Sequence, residues 1–144
     1  MRYVAELLER KGNDIWSVSP DTPVFEALQL MSVKNCGAVL VLEEEHLVGI
    51  LSERDYARKV ILKGKSSKET LVAEIMSSEV VCIQPTHTID DCMALMTDKR
   101  IRHLPVMEKE KDTLVGLISI GDVVQEVILE QEFIIHQLEN YISS

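Results

Sequence analysis

Leu47–Asp55 reads LVGILSERD, and Leu114–Asp122 reads LVGLISIGD. Each copy is an apolar run of strand character interrupted by a glycine. A serine follows, and an aspartate stands three residues further on, at the head of a helical pattern. A carboxylate fixed there, beside the unpaired amide N–H groups of a helix start, suits a grip on a ribose and its phosphate. Ser-x-x-Asp is also close to a capping box, in which serine caps the helix and the acidic residue closes it in return. Capping alone accounts for one copy as well as binding does. Two copies in equivalent places require the rest of the chain.

Working outward, the whole pattern around each copy is doubled. Residues 3–11 place Val4, Leu7 and Leu8 on one helical face, with Gly12 as a stop. Asp14–Pro20 (DIWSVSP) reads as an entry strand, residues 22–34 as an amphipathic helix, and Gly37–Leu42 (GAVLVL) as a buried strand. The charged turn EEEH leads into the strand 47–51, and a helix opens at Ser52 and runs through Val60. Lys63–Glu69 (KGKSSKE) reads as a linker. Then VAEIM (72–76) echoes VAELL (4–8), and Pro85, Met96 and Val106 stand 65 residues beyond Pro20, Met31 and Val41. After the second acidic turn the offset becomes 67, as from Gly49 to Gly116. The fold expected is α+β, an α/β repeat of two strand–helix–strand–strand–helix units. They divide as 1–68, including the N-terminal helix, and 69–144, including an extended C-terminal helix. One unit of this size is marginal alone, whereas two sharing a core across a pseudo-twofold are not, and related clefts then lie between them.

The bulk properties narrow the function. The chain has 144 residues, 46% hydrophobic and 27% charged, with a net charge of −9, as in an ordinary globular protein. That charge argues against nucleic acid, which needs a basic face. No apolar run reaches the roughly 18–20 residues of a membrane span, and the N-terminus does not read as a secretory signal. Cys36, Cys82 and Cys92 form no C-x-x-C and have no ligand-spaced histidine. Reduced, packed thiols in a cytoplasmic protein are expected, with no metal. From Asp122 to Ile142, Val124, Val127, Ile128, Ile134, Ile135, Leu138 and Tyr141 fall largely on one stripe. A homodimer is expected there.

In order, VSPDTPVFEAL (18–28) and IQPTHTIDDCM (83–93), the strands GAVLVLE and HLPVMEK, and the two closers make the chain resemble a tandem pair of CBS domains. Such a pair is called a Bateman module, and the resemblance is to its small stand-alone form, with no enzyme or transporter attached. It implies a regulatory role, not catalysis, with AMP, ADP, ATP, NAD or S-adenosylmethionine bound in the two clefts and an unknown regulated protein as partner. It also implies that Asp55 and Asp122 take the ribose hydroxyls, supported by Ser52 and Ser119. A carboxylate accepting from two vicinal hydroxyls is charge-assisted and selective in geometry. Adenine would lie against Ile15, Trp16, Ser17 and Val18 in one site and Val81, Cys82 and Ile83 in the other.

The family commonly draws phosphate contacts from the opposite repeat, where KRIRH (99–103) stands against KNCGA (34–38). The Asp55 cleft is therefore expected to hold a phosphorylated ligand gripped by Arg102, with Arg100 or His103 assisting. The Asp122 cleft, without that cluster, is expected to be weaker, differently filled or empty, and Arg54 partly compensates. Plainer roles stand beside these. The plain alternative for Arg100 and Arg102 is surface charges pairing with the acidic excess, and for His103 an interior histidine, while Trp16 suits packing better than stacking. Met31, Met93 and Met96 lie at core spacing, and His46 in a solvated turn. The competing readings are a structural dimerisation module with degenerate clefts and, at greater remove, a small thiol-dependent enzyme.

Overall fold

The structure, a computed structural model of the chain, describes residues 2–143. Met1 and Ser144, the outer ends of the two expected domains, lie outside the described residues. Along the chain come α1 (Val4–Lys11), β1 (Ser17–Val18), α2 (Val24–Lys34), β2 (Ala38–Glu43), β3 (His46–Ser52) and α3 (Glu53–Tyr56). A π-helical turn over Ala57–Ile61 continues α3. Then follow α4 (Val72–Ile75), α5 (Ile89–Lys99), β4 (His103–Glu108), β5 (Thr113–Ser119) and α6 (Ile120–Ser143).

These elements gather into two compact units that are not consecutive halves. One is Ile15–Val81, and the other joins Met1–Asp14 to Cys82–Ser144. The boundary expected between residues 68 and 69 thus falls inside the first unit. The cause is where the two short leading helices dock. In α4, the N–H groups of Val72 and Ala73 donate to the carbonyls of Thr22 and Pro20, at 2.8 and 2.9 Å. In α1, those of Val4 and Ala5 donate to His87 and Pro85, at 2.9 and 3.1 Å. Each entry loop therefore satisfies the orphan donors of a helix start, and in each case the helix belongs to the other repeat in sequence.

In the Ile15–Val81 unit the sheet order is β1-β2-β3. β1 runs parallel to β2 (Ser17↔Leu40) and β3 antiparallel to it (Ala38↔Ser52). Val24, Ala27 and Met31 of α2 pack with Val39, Val41, Leu51, Val60, Val72 and Ile75 into one buried cluster. The β-branched run of β2 supplies its sheet face, as a strand covered on both sides requires. Residues expected to continue the helix after Ser52 relax into the π-helical turn, where Leu62 N–H reaches back to the Ala57 carbonyl.

In the other unit β4 and β5 pair antiparallel, with His103 opposite Ser119. The expected second entry strand shrinks to a single bridge, Ile83↔Val106. Pro105 explains this. Its counterpart Leu40 donates its N–H to the Trp16 carbonyl, and proline has no N–H to give. The buried positions here include Val4, Leu7, Leu8, Ile89, Cys92, Met96, Leu104, Ile118 and Val123. Among the described residues no helix is long and apolar enough to cross a membrane.

The glycines of the two closers have a packing role. A β-carbon on Gly49 would stand 2.5 Å from Met76 Sδ and 3.1 Å from the Ser77 carbonyl oxygen. On Gly116 it would stand 2.7 Å from Leu8 Cδ2. Each glycine admits the short helix that docks on its unit, and each faces a bulge at the same place, between Val41 and Leu42 or Val106 and Met107.

Candidate functional site

Both closers fold as capping boxes. Ser52 ends β3 in extended geometry and caps α3, its hydroxyl accepting from Asp55 N–H at 3.2 Å. Asp55 Oδ2 accepts in return from the Ser52 N–H (3.0 Å) and hydroxyl (3.1 Å). Its Oδ1 meets the Ser77 hydroxyl and Lys59 Nζ, each at 3.3 Å. In the other unit, Ser119 Oγ accepts from Asp122 N–H at 3.2 Å, and Asp122 Oδ2 accepts from Ser119 N–H at 2.8 Å. Lys11 Nζ donates to that same Oδ2 and to the Leu117 carbonyl, both at 2.5 Å. The Asp55 side chain is 14% exposed and that of Asp122 is 25% exposed. Each carboxylate is thus fixed at a helix start with part of its surface open.

The docked segments finish both sites, and this the sequence did not announce. Ser77 follows α4 and reaches Asp55, whereas Lys11 ends α1 and reaches Asp122. The polarity between helix and docked segment is reversed in the two units. Lys59, one turn beyond Asp55, donates to the Ile75 carbonyl of α4 at 3.0 Å. Its counterpart beyond Asp122 is Glu126, only 3% exposed. Arg10 grips Glu126 through Nε (2.7 Å) and Nη2 (2.8 Å), and Arg2 adds a third bond at 3.2 Å. Burial pushes the Glu126 carboxyl up, but the hydrogen bonds and charges of Arg10 and Arg2 outweigh it and hold the group below its ordinary value. The i,i+4 spacing of Lys59 after Asp55 was a readable signal. Nothing local connects Lys11, Ser77 or Arg10 to their carboxylates.

The basic stretch falls as follows. Arg100 caps the C-terminus of α5 in the left-handed region (φ 54), where the matching cap of α2 is Asn35 (φ 52). Arg102 is exposed, and its carbonyl accepts from Ile120 N–H at 2.8 Å. His103 is half-buried. Burial lowers its pKa, nearby Lys11 and Arg102 lower it further, and Asp122 opposes them. Within the Met1–Asp14 and Cys82–Ser144 unit the structure therefore gathers Lys11, Asp122 and Arg102 around His103, with Lys11 on the Asp122 carboxylate. Arg54 lies exposed in the first turn of α3, beside Asp55.

Of the candidate adenine residues, Ile15, Trp16 and Val18 are half-buried and Ser17 is exposed, in the same unit as Asp55. Trp16 packs on the buried cluster, and Lys34 Nζ stands 4.3 Å from its ring centre. Cys82 and Ile83 share a unit with Asp122, while Val81 ends the other. His87 has a turn role, its Nδ1 accepting from Gln84 N–H at 2.9 Å. Burial and the Asp91 charge push the Cys92 thiol up to about 12, so its thiolate is scarce at neutral pH. Among the described residues no group of three or more His, Cys, Asp or Glu is placed to hold a metal ion.

Fold and site together define a tandem-repeat α+β module closed twice by the same serine-capped carboxylate. The chain belongs to the CBS domain family, whose domain matches residues 4–62 and 72–129. It is similar to the CBS domain-containing protein CBSX3, mitochondrial, of Arabidopsis thaliana, with 39% identity covering 96% of this chain and 71% of the relative. A solved CBS-domain protein from Burkholderia ambifaria is 46% identical with a TM-score of 0.85, over 90% of this chain and 96% of that one. At 19% identity the likeness is of fold alone to the CBS domain pair of protein MJ0100, solved with 5′-methylthioadenosine and S-adenosyl-L-methionine. There the TM-score is 0.78, over 90% and 98% of the two chains.

Proposed function

We propose that this CBS pair is a sensor of adenosyl nucleotides, with AMP, ADP, ATP or NAD as the ligand class, and that it regulates a partner protein and does not catalyse a reaction. The observation that carries this reading is the pair of serine-fixed, partly open carboxylates, Asp55 and Asp122, at matching helix starts. Both suit a vicinal diol. The adenosyl ligands named with MJ0100 lend support at the level of the fold. Ser52 and Ser119 hold the carboxylates in place, and the family resemblance sets the base against Ile15–Val18 or Val81–Ile83, where Ile15, Trp16, Val18 and Val81 are half-buried and Ile83 is buried. On the strength of the family resemblance, Arg102 takes phosphate with help from Arg100, His103 and Arg54.

A ligand shifts its protein only by its differential affinity for two states. The element suited to report such a shift is α6, which begins at the Asp122 site and carries exposed Phe133, Ile134, Ile135, Leu138, Tyr141 and Ile142. We assign that face to a second copy of the chain. Titration calorimetry with AMP, ADP, ATP, NAD and S-adenosylmethionine tests the sensor. Heat from at least one of them supports it, and no heat from any of them, on folded protein, sinks it. One observation favours a purely structural module instead. Both carboxylates already have cationic partners, Lys59 and Lys11, and the same titration decides between the two readings.

A further inference from the structure

The two closing carboxylates are engaged differently. Asp55 Oδ2 is held by its own serine, and its other oxygen meets Ser77 and Lys59 only at 3.3 Å. Asp122 Oδ2 has its two lone pairs filled, one by Ser119 N–H at 2.8 Å and one by the Lys11 ammonium at 2.5 Å. Among the described residues, the hydrogen bonds and the ion pair of this carboxylate all fall on Oδ2. A diol bridging both oxygens must therefore displace Lys11 from Oδ2. Lys11 is exposed, so releasing its ammonium costs only an ion pair of surface strength, which a ligand anion beside it restores. Lys11 keeps one anchor, the Leu117 carbonyl, and its neighbours His103 and Arg102 are cationic or neutral. An anion that restores the pair therefore comes with the ligand.

We infer that Lys11 is the selectivity residue of the Asp122 site: it occupies the carboxylate when no ligand is bound and yields it to a nucleoside that brings its own phosphate. The inference rests on the reading of Asp122 as a ribose anchor and adds a residue from a different stretch of the chain. The structure supplies a second, ligand-independent handle, because Lys11 also depresses the His103 pKa. Around that imidazole, Lys11 and Arg102 oppose protonation and Asp122 favours it.

The test uses the full chain carrying Asp55→Asn, which leaves the Asp122 site to be read alone, with and without Lys11→Met. AMP and adenosine are titrated by calorimetry, and the His103 titration is followed by NMR without ligand. With Lys11 present, AMP should bind more tightly than adenosine. Lys11→Met should strengthen adenosine about threefold to fivefold, the scale of a partly exposed ion pair, and weaken AMP, so that the preference collapses. It should also raise the His103 pKa. An unchanged AMP-to-adenosine ratio overturns the selectivity role. An unmoved His103 titration overturns the resting contact. Binding of neither compound, with His103 still moved by the substitution, overturns the ribose role of Asp122 and the inference with it.

Discussion

Leu8 lies over Gly116 so closely that a β-carbon on the glycine would stand 2.7 Å from Leu8 Cδ2. Gly49 is as crowded by Met76, and there the backbone oxygen of Ser77 adds a contact at 3.1 Å. A flexible side chain can move aside, whereas a backbone carbonyl fixed by the Ile50–Ser77 bridge cannot do so cheaply. Both Gly116→Ala and Gly49→Ala should destabilise by about 1–3 kcal/mol, with Gly49→Ala the worse. Urea denaturation monitored by circular dichroism checks the order. Midpoints equal to the parent's would show that the docked helices have slack.

The buried Glu126 makes stability depend on acid. Its carboxyl sits below the ordinary glutamate value when folded, so its contribution is fully present above that ordinary value and is lost as pH falls through the lower folded one. Glu126→Gln keeps the shape and removes the charge that holds Arg2 and Arg10. The variant should be less stable than the parent at pH 7, and the difference should shrink below about pH 4.5. Melting curves across that range provide the comparison. A difference independent of pH would assign Glu126 a packing role only.

Arg100 occupies a left-handed cap where glycine or asparagine is the usual choice. Arg100→Gly should raise stability by about 0.5–1 kcal/mol while weakening AMP more than adenosine. Stability gained with nucleotide affinity unchanged would leave the arginine without a binding role.

Leu138 is 56% exposed in the middle of the apolar stretch of α6. Leu138→Glu should leave the fold intact and lower the mass measured by light scattering towards that of one chain. An unchanged mass would remove α6 from the interface.

Much of this organisation was legible because it was written twice. The closers, the entry loops and the buried β-branched strands announced a duplicated α+β unit, and Ser-x-x-Asp announced its own capping geometry. Pro105, standing where the first repeat has Leu40, held the reason the second entry strand fails. What could not be read was the exchange of short helices. VAELL and VAEIM are interchangeable as patterns, and their docking is decided by partners distant in sequence, Glu126 for Arg10 and Ser77 for Asp55. For that reason no local pattern marks Lys11, although it stands on the carboxylate of the duplicated motif.

The central claim is that Asp55 and Asp122 bind a ribose in addition to capping their helices. Asparagine separates the two roles, since its carbonyl oxygen can still accept from the serine N–H while the charge is gone. Calorimetric titration of AMP into the parent and into the Asp55→Asn, Asp122→Asn double variant tests the claim most directly, with melting temperatures recorded alongside. Saturable binding to the parent and none to the double variant, with both folded, is the expected result. Equal binding by the two proteins would contradict it.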